Sequence, residues 1–163
     1  MAVLVTGVAG FIGAAVASSL LERGDQVVGI DNLNDYYDPS LKQARISRLS
    51  GQFGDKFRFE RVDFADPLQL RPVADSMEID AIVHLGAQAG VRYSIENPAA
   101  YVRSNLVGHA NMLELARERS PRSMVYASSS SVYGGTRTCR SGSRTEWTIR
   151  CPSTRRQRKP TSC

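Results

Sequence analysis

Three glycines, Gly7, Gly10 and Gly13, stand at intervals of three in TGVAGFIG. An apolar, β-branched run, Ala2 to Thr6, precedes them, and apolar residues at helical spacing follow. In a strand-turn-helix setting the first glycine permits a tight turn and the second lets a diphosphate approach the backbone. The third lets the helix pack on the strand. The phosphates would meet free N–H groups at a helix N-terminus, where the dipole favours negative charge. Without such flanks the spacing is an ordinary glycine turn; here both flanks are present. Asp31 lies 18 residues beyond Gly13, at the end of a second apolar run. A carboxylate there can accept hydrogen bonds from adenosine ribose hydroxyls and repel a 2′-phosphate, which favours NAD over NADP. Asp63-Phe64 closes a third such run, where an acidic group could meet the adenine or serve as a turn residue.

The remaining reactive side chains are less informative. Four serines, Ser128 to Ser131, follow another strand-like segment, a pattern that a plain turn also produces. His84 lies in an apolar strand and His109 within a long helix. Neither has a Cys or acidic partner at metal-ligand spacing, so no metal site is expected. Cys139, Cys151 and Cys163 form no CxxC pattern and suggest neither a zinc site nor a disulfide framework.

The elements that must position these groups alternate along the chain. Strands are expected at Ala2 to Thr6, Gln26 to Ile30, Lys56 to Val62, Ala81 to Leu85 and Ser123 to Ala127. Helices are expected at Phe11 to Glu22 and Pro39 to Leu49, then from Asp66-Pro67, and from Asn97-Pro98 to about Arg119. Proline in a first helical turn costs nothing, because its missing N–H has no partner there. Strands alternating with helices imply right-handed crossovers and an α/β fold, a doubly wound parallel sheet with helices on both faces.

Composition places a boundary after residue 134. The chain has 163 residues, of which 42% are hydrophobic, enough for one domain with a real core. Residues 1–134 hold 13 Lys+Arg against 15 Asp+Glu, whereas residues 135–163 hold 8 against 1. The overall net charge of +5 therefore describes the last stretch and not the body. All three cysteines and the single Trp147 also lie there, and hydrophobic periodicity stops. We expect an incomplete dinucleotide-binding domain over 1–134 and an irregular, basic, disordered tail over 135–163. No apolar run approaches the ~20 residues of a membrane span. The opening residues lack the basic start of a secretion signal, so a cytoplasmic protein is expected.

Taken together, TGVAGFIG, Asp31-Asn32-Leu33, HLGAQAGVRYS (84–94), Asn105 and YASSSSVYG (126–134) resemble the extended short-chain dehydrogenase/reductase family. The likeness is to its NAD-dependent nucleotide-sugar epimerases and dehydratases. DNLNDYYDPSLKQAR and QAGVRYS are similar to the UDP-glucuronate 4-epimerase branch. The resemblance implies a Rossmann fold and roles for individual residues. Gly7, Gly10, Phe11, Ile12 and Gly13 would cradle the NAD diphosphate, with Asp31 and Asn32 near the ribose and Asp63 and Phe64 beyond. Leu85, Gly86, Ala87 and Gln88 would line the cofactor, Gly86 replacing the alanine more usual there, and Asn105 would support the site. Ser129 aligns with the catalytic serine or threonine, with Ser128 and Ser130 as alternative registers. Arg92, Tyr93 and Ser94 would help select the sugar. The partner implied is a nucleotide-sugar; a homodimer is known in the family but not expected of a chain lacking the substrate region.

The family's chemistry also needs a Tyr-x-x-x-Lys pair after the serines, the lysine lowering the pKa of the tyrosine base. The one tyrosine there, Tyr133, has Arg137 four residues on. A two-base shift of reading frame, with suitable synonymous codons, turns residues 135–163 into NEDLPFRVEDRVDHPVSLYAATKKANEL. That string contains Tyr-Ala-Ala-Thr-Lys, its Tyr codon drawn from Ser153 and Thr154 and its Lys codon from Gln157 and Arg158. The middle base of each shifted codon is the first base of an actual one, so the freedom to obtain such a string is limited. We therefore expect a frameshifted end, loss of the substrate domain and loss of activity. The competing reading is a nucleic-acid-binding tail. A net +7 would attract phosphates, but one aromatic residue offers little to stack on bases, so specific binding is not expected.

Overall fold

In the computed structural model the described residues are 1–129. The expected disordered tail, Ser130 and Tyr133 lie outside them. The chain divides into two units, Met1–Ala127 and Ser128–Cys163. In the first unit β1 (Ala2–Thr6) leads to α1 (Phe11–Glu22), β2 (Gln26–Asp31) and α2 (Pro39–Phe53). A 3₁₀ turn precedes β3 (Phe57–Arg61), followed by α3 (Pro67–Asp75) and β4 (Ala81–His84). Then come α4 (Val91–Glu96), α5 (Pro98–Tyr101), a π-helical segment (Val102–Gly108), α6 (His109–Arg119) and β5 (Ser123–Tyr126). Pro39 and Pro67 take the first helical positions, as the sequence suggests, and the structure adds caps: the Asp38 and Asp66 carboxylates accept from the N–H groups of Ser40 and Leu68.

All five strands are parallel, in the order β3-β2-β1-β4-β5. The chain winds outward from β1 in both directions, so the crevice for a ligand falls at the carboxyl ends of β1 and β4. Side chains of β1 alternate between two cores. Leu4 joins Ile30, Leu70, Ile82, Met112 and Leu115 on the face of α3 and α6. Val3 and Val5 join Ala14, Ala17, Leu21, Val27 and Leu49 on the face of α1 and α2. A strand buried on both faces explains the unbroken apolar run at its start.

Two local features depart from expectation. Helix α4 is six residues long, too short to show a periodic stripe. The expected helix from Pro98 to Arg119 is not uniformly α: residues Val102–Gly108 widen to a π-helix. Two contacts define that segment: Asn105 bonds to Gln88, and Gly108 packs so closely on Phe64 that a Cβ would fall 2.4 Å from its ring. Such bulges commonly occur where a helix must offer one side chain out of α register.

The ends of β1 and β4 are tied by a buried polar pair. Thr6 is opposite His84 in the sheet, and both are at most 5% exposed. Thr6 Oγ1 accepts from the N–H groups of Leu85 (3.1 Å) and Gly86 (2.9 Å), and lies 2.7 Å from His84 Nδ1. With its acceptor sites used, the hydroxyl donates to Nδ1, which assigns the proton of the neutral imidazole to Nε2. Burial, and secondarily the stacked His109, hold the His84 pKa down at about 4. Folded His84 thus stays neutral while the unfolded group, near 6.5, takes up a proton as pH falls.

Stability should therefore fall as pH drops from about 6.5 to about 4, with no contribution from this group above that window. His84→Asn, which keeps an acceptor for Thr6, should flatten that part of a denaturant-midpoint against pH curve. An unchanged slope would contradict the pairing. Thr6→Val should cost about 1–3 kcal/mol, because it leaves the Gly86 N–H without an acceptor.

Candidate functional site

The glycine turn is held by backbone bonds from Gly7 N and Val8 N to Ile30 O and from Gly10 N to Gly7 O. Gly7 sits at φ +68°, a left-handed conformation that favours glycine. A Cβ on Gly13 would lie 2.0 Å from Gly7 O, so α1 can start this close to β1 only with glycine there. Gly10 is confined on one side only: its Cβ would lie 3.0 Å from Gly7 O, with nothing else within 4 Å. Helix α1 begins on Gly10 without a side-chain cap, which leaves its first-turn N–H groups for a ligand. The side chains of Phe11 and Ile12 are exposed, so these residues could serve an anion through their backbone N–H groups.

Asp31 ends β2 and is 7% exposed. Its Oδ1 accepts from Leu33 N (2.9 Å) and faces Lys42 Nζ at 3.4 Å. Lys42, buried in α2, also donates to Asn34 Oδ1 (2.7 Å). Among the described residues these bonds fall on Oδ1, leaving Oδ2 for a hydroxyl of the ligand. Asn32 Oδ1 accepts from Asn34 N and shapes the same loop.

The loop after β4 forms the opposite wall. Thr6 holds Leu85 and Gly86 as described, and Asn105 grips Gln88 at two points. Gln88 N donates to Asn105 Oδ1 (2.8 Å), and Asn105 Nδ2 donates to Gln88 O (3.0 Å). The Phe64 ring explains Gly86: a Cβ there would lie 2.5 Å from that ring.

One cleft is lined by Gly7, Gly10, Asp31, Asn32, Phe64, Leu85, Gly86, Ala87 and Gln88, all anticipated from the sequence. Asn34, Tyr36, Tyr37, Lys42, Ala89 and Ser104 also line it and were not anticipated. The first three stand in the loop directly after Asp31, a nearness that could have flagged them; Lys42 gives no signal beyond one lysine on a polar helix. Other anticipated residues lie outside the lining. The Asp63 carboxylate bonds to Arg103 through Oδ2 (2.9 and 3.1 Å) and accepts from Ala65 N through Oδ1. Asn105 acts on the cleft through Gln88. Arg92, Tyr93 and Ser94 are on α4, where Ser94 Oγ donates to Val91 O. Ser129 is exposed and belongs to the second unit. Among the described residues, no group of three or more His, Cys, Asp or Glu could hold a metal ion. Nor is any helix among them long and apolar enough to cross a membrane.

The arrangement suits an extended anionic ligand: N–H groups and open glycine backbone for phosphates, and a buried carboxylate beside them for a sugar hydroxyl. The family model described as GDP-mannose 4,6-dehydratase matches residues 4–152. UDP-glucuronate 4-epimerase 3 of Arabidopsis thaliana is 49% identical over 135 residues, 81% of this chain and 30% of that protein. The UDP-glucuronate 4-epimerase of Thermodesulfobacterium geofontis is 46% identical over 132 residues, 81% of this chain and 40% of that one. Among solved structures, UDP-glucuronic acid 4-epimerase from Bacillus cereus in complex with NAD is similar with a TM-score of 0.71 and 32% identity. It covers 83% of this chain and 42% of that one. The chain thus spans less than half the length of the curated relatives it matches. With strand order, glycine turn and sequence in agreement, the chain belongs to the GDP-mannose 4,6-dehydratase family of NAD-dependent epimerases and dehydratases.

Proposed function

We propose that this chain is the NAD-holding part of a nucleotide-sugar 4-epimerase that interconverts UDP-glucuronate and UDP-galacturonate. The observation that carries the reading is the cleft at β1 and β4. There Gly10 lines the cleft beside an uncapped helix start, and buried Asp31 borders the same cleft. Similarity to several UDP-glucuronate 4-epimerases supports the substrate class, and the NAD in a solved relative supports the cofactor. A dehydratase acting on a nucleotide-sugar is the second reading, favoured by the description of the matching family model.

The residues fit NAD. Gly7 and Gly10 would present backbone to the diphosphate, and the N–H groups of Phe11, Ile12 and Gly13 would donate to it. Asp31 would accept from the adenosine ribose, with Asn32 beside it. Leu85 to Gln88, kept in place by Thr6 and Asn105, would line the cofactor. When bound, NAD supplies reversible two-electron oxidation of the sugar carbinol. Ser129 would hydrogen-bond that hydroxyl, and Arg92, Tyr93 and Ser94 would face the sugar. The tyrosine base and its lysine have no counterpart within residues 1–163. We attribute this to a shifted frame after about residue 134, which the DNA encoding residues 135–163 tests directly. Absence of Tyr-x-x-x-Lys from both alternative frames would end that attribution.

Calorimetry of the purified chain should detect NAD binding. Asp31→Ala should weaken it about ten- to a hundredfold, the value of a hydrogen bond to a charged group, and should narrow the preference over NADP. Incubation with NAD and UDP-glucuronate should form no UDP-galacturonate at ordinary enzyme rates. Loss of a positioned acid/base alone costs ~10²–10⁴ in rate. Turnover near ordinary rates would overturn the account of the last 29 residues.

A further inference from the structure

The loops after β2 and β4 meet through tyrosines, and one of them, Tyr36, has no part in the proposed chemistry. Tyr36, which lines the cleft, sits on the loop after β2; its ring centroid is 5.0 Å from that of Tyr93 on α4. Gly90, the residue before α4, makes room for this contact. It has φ +99°, and a Cβ on it would fall 2.0 Å from the Tyr36 hydroxyl. Tyr101 approaches from α5 and donates its hydroxyl to Gly90 O, while Asn97 Nδ2 donates to the Tyr93 hydroxyl at 3.1 Å. The rest of the β2 loop is anchored elsewhere, by Lys42 on Asn34 and by Arg45 on Tyr37 and Ala9 O. Tyr36 is the link that crosses.

What it crosses follows from strand order. Strand β1 lies between β2 and β4, so the glycine turn after β1 sits between the two loops that Tyr36 joins. We propose that Tyr36, seated against Gly90 and Tyr93, is a strap across the diphosphate part of the dinucleotide cleft, and that it slows exchange of the bound dinucleotide. Tyr93 and Gly90 are positioning residues in this scheme: neither lines the cleft, and each acts through Tyr36. The inference rests on the reading of the cleft as an NAD site. It adds that release requires the two loops to part.

The test is a stopped-flow displacement on the full chain, loaded with NADH and chased with excess NAD, following NADH fluorescence. Tyr93→Ala should speed release about two- to tenfold, the value of one aromatic pair, with little change in the association rate. Tyr93→Phe keeps the ring and should release at the wild-type rate. Gly90→Ala, which displaces Tyr36, should release at least as fast as Tyr93→Ala; if it fails to fold, the Ala and Phe pair at Tyr93 still decides the matter. Equal release from wild type and Tyr93→Ala would overturn the strap. An equal fall in association and rise in release would also overturn it, because that describes a damaged pocket. Failure of wild type to bind NADH at all would instead overturn the cofactor reading.

Discussion

The close approach of Gly13 to the Gly7 carbonyl is the constraint on which the rest of the site depends. A Cβ at Gly13 would lie 2.0 Å from that oxygen. Only glycine lets α1 start so near the end of β1, with no side-chain cap on its first-turn N–H groups. Gly7 is bound by the same logic on its other side, because its own Cβ would fall 2.8 Å from Gly86 Cα. The turn after β1 is therefore fitted at once to the helix below it and to the loop after β4. Moving any of the three moves the turn that borders the cleft.

Polar groups then fix the walls that apolar packing cannot aim. Thr6 holds two N–H groups of the β4 loop and donates to a histidine kept neutral by burial. Asn105 uses both ends of its amide on one residue, Gln88, from a helix segment wound wider than α. Asp31 and Lys42 form a buried pair at the edge of the cleft, and Lys42 shares its charge with Asn34. Each of these side chains stands on, or at the end of, a strand or helix anchored in one of the two cores. Side chains rooted in that way hold their geometry better than side chains on free loops.

Much of this was legible in the sequence because it rests on local rules. The glycine spacing, the Asp-Pro helix starts and the apolar runs of β1 and β2 each follow from backbone sterics or two-sided burial. What escaped was non-local or short. Lys42 enters the cleft because α2 packs against α1 and β3, and nothing in its neighbours along the chain announces that. The π segment holds contacts of Asn105 and Gly108 with residues 17 and more positions away, which α-helical periodicity cannot encode. The close approach of Phe64 to Gly86 joins residues 22 positions apart, and only three dimensions show it.

The most direct test of the account is a ¹⁵N chemical-shift titration of the full chain with NAD. The account predicts the largest shifts at the amides of Gly7, Gly10, Phe11, Ile12 and Gly13, with further shifts at Asn32 and along Leu85 to Gln88. Amides around the separate surface hollow of Leu70, Asn111 and Leu115 should stay unmoved. Shifts centred on that hollow, or no shifts at the glycine turn at saturating NAD, would contradict it.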